Sequence, residues 1–136
     1  MPIEVLTDAR VEINSVALSD HANDVKVNYS AEIKEKTAFG ETTKSKLSGV
    51  KDWNVDLTFM QDFDAAEVDA TLFPLVGAAA FPVKIRGSSA AISATNPEFQ
   101  GNALLASYSP ISGKHGEVHT VSVKLEGTGT LTRATA

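Results

Sequence analysis

Residues 41–64, ETTKSKLSGVKDWNVDLTFMQDFD, and residues 64–77, DAAEVDATLFPLVG, which share Asp64, decide the fold. They join a polar connection to a long alternating run and then to one short helix. In the run, Trp53, Val55, Leu57 and Phe59 alternate with Asp52, Asn54, Asp56 and Thr58. A period of two places every second side chain on one face, so this is a strand with a dry side and a wet side. No residues with catalytic spacing lie near it, and the stretch reads as a building block.

The same alternation recurs on both sides. From Val25 to Ile33 the odd positions Val25, Val27, Tyr29, Ala31 and Ile33 are apolar or small, and the even ones are polar; this predicts one core face along the whole strand. Val121, Val123 and Leu125 alternate with Thr120, Ser122, Lys124 and Glu126. Shorter runs at Val11 and Ile13, around Phe81, Val83 and Ile85, and from Asn102 to Tyr108 complete a set of antiparallel strands. The expected fold is mainly β, an antiparallel sandwich or barrel-like body, with one domain over residues 1–136. One helix is expected at about 64–73. Asp64 is placed as N-cap with Glu67 three residues on, Phe63 and Val68 are placed as a hydrophobic staple, and Pro74 ends the regular helix near Leu72. The long polar connection, at about 37–49, is a hairpin loop with Phe39 and Leu47 among polar residues.

Composition narrows the functional classes. With 43% hydrophobic and 21% charged residues, the chain has an ordinary globular makeup, and no apolar run approaches the ~20 residues that would span a bilayer. No membrane association is expected. MPIEVLTDARVEI lacks the basic and apolar regions of a secretion signal, and the absence of cysteine fits a reducing cytoplasm and equally any protein stabilised without disulfides. A formal net charge of −5 disfavours duplex binding, which depends on Lys and Arg neutralising phosphates.

Candidate chemistry is sparse. His115 and His119 flank Glu117 in SGKHGEVH, but Gly113 and Gly116 predict a turn rather than the helix that would make this a zinc pair. His21 reads as an isolated turn residue. Ser88 and Ser89 have no nucleophile elbow and read as a strand end; Glu32, Asp52 and Asp56 lie on a solvated face with no apolar pocket to make one of them an acid. GTGTL, Gly127 to Leu131, lacks the third glycine and following helix of a dinucleotide site. Asn28-Tyr29-Ser30 fits the glycosylation pattern, yet without a secretion signal it stays unmodified.

The stretches quoted first, together with NPEFQGNALLASYSPISG (Asn96 to Gly113) and the closing GTGTLTRATA (Gly127 to Ala136), resemble the tail tube, or major tail, proteins of long-tailed phages, in the same order along most of the chain. The resemblance implies a β-sandwich with one flanking helix, whose copies pair sheet edges into a ring, usually six-fold, lined by a continuous barrel. Rings stack into a tube around a tape-measure protein, between tail-tip and terminator proteins, and the genome passes through. It implies a structural virion protein of the phage tail, assembled in the host cytoplasm, with no catalytic residue, cofactor or metal. Phe39, Glu41, Lys44, Lys46 and Leu47 are then candidates for ring stacking. Glu32, Asp52, Asn54, Asp56 and Thr58 are candidates for the channel wall, an acidic or neutral surface along which DNA slides without specific binding. The extra C-terminal decoration domain of longer members is not expected here, with Arg133 to Ala136 read as a plain end. A cytoplasmic ligand- or carbohydrate-binding β-sandwich is the alternative; it would need exposed aromatics in a groove, whereas the sole Trp alternates with core residues. An enzyme ranks behind both for want of a site.

Overall fold

The computed structural model describes residues 9–65 and 67–135. Its strands are β1 (Arg10–Ile13), β2 (Val16–Ala17), β3 (Ala22–Glu35), β4 (Lys46–Met60), β5 (Phe81–Arg86), β6 (Glu98–Tyr108) and β7 (Thr120–Ala134). A short helix, α1 (Val68–Leu72), and a 3₁₀ turn (Phe73–Leu75) separate β4 from β5. The strands form one sheet in the order β2-β1-β5-β6-β7-β4-β3, all neighbours antiparallel. The mainly β fold with one short helix is therefore as the alternation implied.

The sheet curls so that both ends share one core. Val11 and Ile13 of β1, Phe81, Val83 and Ile85 of β5, and Trp53, Val55, Leu57 and Phe59 of β4 belong to one buried cluster. Val25 and Val27 of edge strand β3 face Ile85 of β5 and Phe99 of β6 across a narrow apolar cleft. Burying side chains of this size contributes roughly 1.5–3 kcal/mol each, and only a curled sheet lets strands so far apart in the order share that gain. Val68, Leu72 and Leu75 from the helical segment cover the remaining open side. Between β1 and β2, Asn14 and Ser15 both have positive φ, 50° and 67°, as a two-residue hairpin loop of right-handed twist requires.

Trp53 sets the geometry at the centre. Its indole lies flat against the backbone of β6 and β7, where a Cβ on Gly101 would come within 2.5 Å of the ring and one on Gly127 within 2.1 Å. The indole Nε1–H donates to the Gly129 carbonyl at 3.3 Å. Gly127 is thus a packing requirement inside β7, which gives the GTGTL segment a structural role.

Three expectations need correction. Helix α1 starts at Val68, with Glu67 as its N-cap and no side-chain cap, rather than at Asp64. The Asp62 carboxylate accepts the Asp64 N–H at 2.9 Å, and the Asp62 carbonyl accepts the Asp69 N–H, so Asp62 organises the approach to the helix in place of an Asp64 box. Phe63 is exposed, with its ring 6.1 Å from that of His119. The polar connection is also shorter than 37–49: β3 runs to Glu35 and β4 begins at Lys46, because the Lys36 N–H donates to the Ser45 carbonyl at 2.8 Å and extends the hairpin. Finally, the dry face of β3 does not stay dry. Val25 and Val27 are half-buried, but Tyr29, Ala31 and Ile33 are exposed, because the body they would pack against ends at Trp53.

Candidate functional site

Beyond Trp53 the β3–β4 hairpin continues as an arm with no core beneath it. Tyr29 pairs with Trp53, Ala31 with Lys51, Ile33 with Ser48 and Glu35 with Lys46. Directly opposed residues share a sheet face, so Tyr29 and Ile33 carry the dry face of the body outward into solvent. They are 54% and 58% exposed, and Val50 is 76% exposed. Between Ala31 and Ile33 the register shifts, with Gly49 and Val50 opposite Glu32. A Cβ on Gly49 would lie 3.2 Å from the Glu32 carbonyl, so the small residue lets the chain bulge there.

The arm ends in the loop of residues 36–45. Glu41 Oε2 accepts the Ser45 hydroxyl at 2.9 Å, and Thr37 Oγ1 accepts the Ser45 N–H at 2.9 Å, which ties the loop across its base. Phe39 stands fully exposed at the tip. Of the residues proposed from sequence for stacking, Phe39, Glu41 and Lys44 lie in this loop; Lys46 and Leu47 lie in β4, with Leu47 opposite Lys34.

Glu32, Asp52, Asn54, Asp56 and Thr58 lie on the polar face, as alternation required. Asp24, Asn28 and Lys26 of β3 oppose Thr58, Asn54 and Asp56, and Ser122, Glu126 and Lys124 of β7 oppose the same three from the other side. Asn28 Nδ2 donates to Asn54 Oδ1 at 2.8 Å and to Asp56 Oδ2 at 3.2 Å. Asp52 Oδ1 accepts its own neighbour's amide, Trp53 N–H, at 2.9 Å. This polar face carries fixed cations, where the sequence reading expected an acidic or neutral surface. Lys26 and Lys124 flank Asp56, Lys34 pairs with Glu32, and Lys124 pairs with Glu126 at 3.5 Å. Cross-strand register interleaves the signs, a property that single-strand alternation does not contain.

Two further clusters fasten the helical side. The Tyr108 hydroxyl donates to Asp69 Oδ1 at 2.8 Å and accepts from Gln61 Nε2 at 3.0 Å, which joins α1 to β6. Burial raises its pKa, the Gln61 contact lowers it and the Asp69 contact raises it, with the balance pushed up to about 12. His21 is not isolated. Its Nδ1 lies 2.8 Å from Asp20 Oδ1, and its Nε2 lies 2.8 Å from Asp62 Oδ2 and 3.4 Å from Glu67 Oε2. One carboxylate from the adjacent residue and two from the connection between β4 and α1 meet one imidazole, and no local sequence pattern signals it. His119 Nε2 accepts the Ser112 N–H at 3.1 Å, and His115 is exposed on the adjoining turn.

No family model matches the sequence, and no curated protein matches it. The fold, however, is shared with solved assemblies. A chain of the virion of a native gene transfer agent particle superposes with a TM-score of 0.74 at 13% identity, covering 97% of this chain and 99% of that one. A chain of the sheath-tube complex of PVC, an extracellular contractile injection system, in its extended state gives 0.72 at 14% identity, covering 99% and 93%. A chain from the tail of an empty gene transfer agent particle, refined helically with C6 symmetry, gives 0.69 at 11% identity over 91% and 92%. At these identities the likeness establishes the fold, and it does so over essentially the whole length of both partners.

Proposed function

We propose that this protein is a structural subunit of a phage-type tail tube, forming stacked, six-fold rings through which a genome is delivered. The observation that carries the reading is the β3–β4 arm. It prolongs a dry sheet face for several residues past the body, with Tyr29 and Ile33 uncovered and the outer edge of β3 unpaired among the described residues. An apolar arm with an open strand edge is an aggregation hazard in a monomer, and closing such edges into a barrel removes it. The whole-length match to chains of tail and sheath-tube assemblies supports the same reading.

In this arrangement neighbouring arms pair side by side around the ring, and the polar face bearing Glu32, Asp52, Asn54, Asp56 and Thr58 lines the channel. Phe39, Glu41 and Lys44 at the tip, with Lys46 and Leu47 at the start of β4, meet the adjacent ring. Each apolar side chain covered there contributes roughly 1.5–3 kcal/mol, and repetition around the ring makes modest contacts cooperative through effective concentration. A tape-measure protein inside the tube and tip and terminator proteins at its ends are the remaining partners, in the virion tail after assembly in host cytoplasm. The role requires no catalysis.

Light scattering and negative-stain microscopy of the purified protein over a concentration series test this directly. Rings or tubes are expected at high concentration; a monomer at every concentration and salt, even with tail-tip components added, would sink the proposal.

A further inference from the structure

His21 sits where the start of β3 is laddered onto the end of β4, Ala22 opposite Phe59, and its side chain carries that junction on toward the helix. It lies in the turn between β2 and β3, while Asp62 and Glu67 belong to the connection from β4 into α1. The backbone reinforces the meeting point, since the His21 carbonyl accepts the Met60 N–H at 2.7 Å. Asp62 is the hub of that connection: it takes the Asp64 N–H on its carboxylate, the Asp69 N–H on its carbonyl, and His21 Nε2 at 2.8 Å.

The two 2.8 Å contacts define the charge state of the ring. A neutral imidazole has one N–H, so one of its nitrogens would turn a lone pair toward a carboxylate oxygen. Both contacts, Nδ1 to Asp20 and Nε2 to Asp62, are satisfied at once only by the imidazolium, which donates from each nitrogen. We propose that protonated His21 is a proton-operated clasp that holds the start of helix α1 against the β2–β3 turn and releases it on deprotonation. The groups facing the ring are Asp20 from its own turn, Asp62 from the connection after β4 and Glu67 from the helix N-cap. Among the described residues none of the three has another ion-pair partner. Losing the proton therefore leaves three carboxylates converging on an uncharged ring, with mutual repulsion in place of attraction.

Electrostatics agrees in direction. Burial, the largest single influence, lowers the His21 pKa, but the hydrogen bonds to Asp62 and Asp20 and the fields of Asp20 and Glu67 together outweigh it and raise the value above 6.5. Asp62 moves the opposite way, below 3.8, held ionised first by the Asp64 N–H and then by His21. A group with a raised folded pKa stabilises fully below its unfolded value and loses that contribution as pH rises through the folded value. A group with a depressed pKa stabilises above its unfolded value and loses that contribution as pH falls through the folded one. The clasp is closed from about pH 4 upward and opens as the pH rises past the His21 midpoint.

The decisive measurement is a titration of the histidine side-chain nitrogens by two-dimensional NMR on the intact protein, followed by melting temperatures from pH 5 to 9. The His21 midpoint is expected above 6.5, with both nitrogens protonated below it. Asp20→Asn, at an exposed position, should lower that midpoint. The melting temperature of the parent should fall across the same interval, and that of His21→Gln should lack this component. A midpoint at or below 6.5, or a His21→Gln profile that parallels the parent, overturns the proposal. If His21→Gln fails to fold, the midpoint in the parent and its shift in Asp20→Asn decide the question without it.

Discussion

Gly127 shows how one missing side chain can be the demand of another. Its neighbour in space is the Trp53 indole, which stacks on the bare backbone of two adjacent strands. Gly127→Ala would place a methyl group inside the van der Waals envelope of a ring that is 3% exposed and has no room to retreat. Overpacking of this kind costs about 1–3 kcal/mol, measurable as a lower urea midpoint at unchanged slope. Trp53→Phe removes part of the ring that the new methyl meets, so the double variant should lose less than the sum of the two single losses. Strict additivity would mean that the glycine and the indole are not packed as described.

Among the elements, the β3–β4 arm separates what stabilises the fold from what the surface presents. Lys36 and Ser45 already close the ladder, so residues 37–44 can be replaced by Asn-Gly, a pair suited to a two-residue hairpin turn. Loop closure depends only weakly on length, and the melting temperature should change by a few degrees at most. Contacts between rings should be lost, leaving isolated rings in place of tubes under the electron microscope. Tubes of normal length from this variant would remove the loop from the stacking surface.

The elements also show what alternation can and cannot reveal. Trp53 to Phe59 and Val121 to Leu125 were legible because each strand's period carries its own record of which side is dry. Tyr29 and Ile33 continue the same period, yet they are exposed. A dry face means only that something apolar covers it, and sequence does not say whether the cover is this chain or another. The helix start was misplaced for a related reason: Asp64 and Glu67 have capping-box spacing, but Asp62 captures the Asp64 amide first, and that competition depends on where β4 releases the chain. The four-group meeting at His21 was invisible, since Asp62 and Glu67 are brought to it by the β3–β4 register, which local spacing does not encode.

For the whole molecule, the polar face carries the test of orientation. In a tube, that face turns either to the channel or to the outside. Asp52 and Asp56 are both exposed, and Asp56 already lies between Lys26 and Lys124. Changing both to Lys would convert an interleaved row into a cationic one, three lysines abreast at position 56. Facing the channel, such rows repeated in every ring would bind phosphates and retard passing DNA, most strongly at low salt where screening is weak. Particles should assemble and then release their genome slowly; normal ejection kinetics at low ionic strength would assign the face to the exterior.

The position of the single tryptophan has one more consequence. Trp53 lies where the packed body ends and the bare arm begins, its indole shielded by two strands while its cross-strand neighbour Tyr29 stands in solvent. Intrinsic fluorescence of this protein therefore comes from one site at the root of the arm, and its emission should be shifted to the blue by the surrounding apolar packing. Any event that bends or clamps the arm acts on that indole before it acts on the rest of the core. The chain thus carries its own optical gauge of the arm, readable in real time without a label.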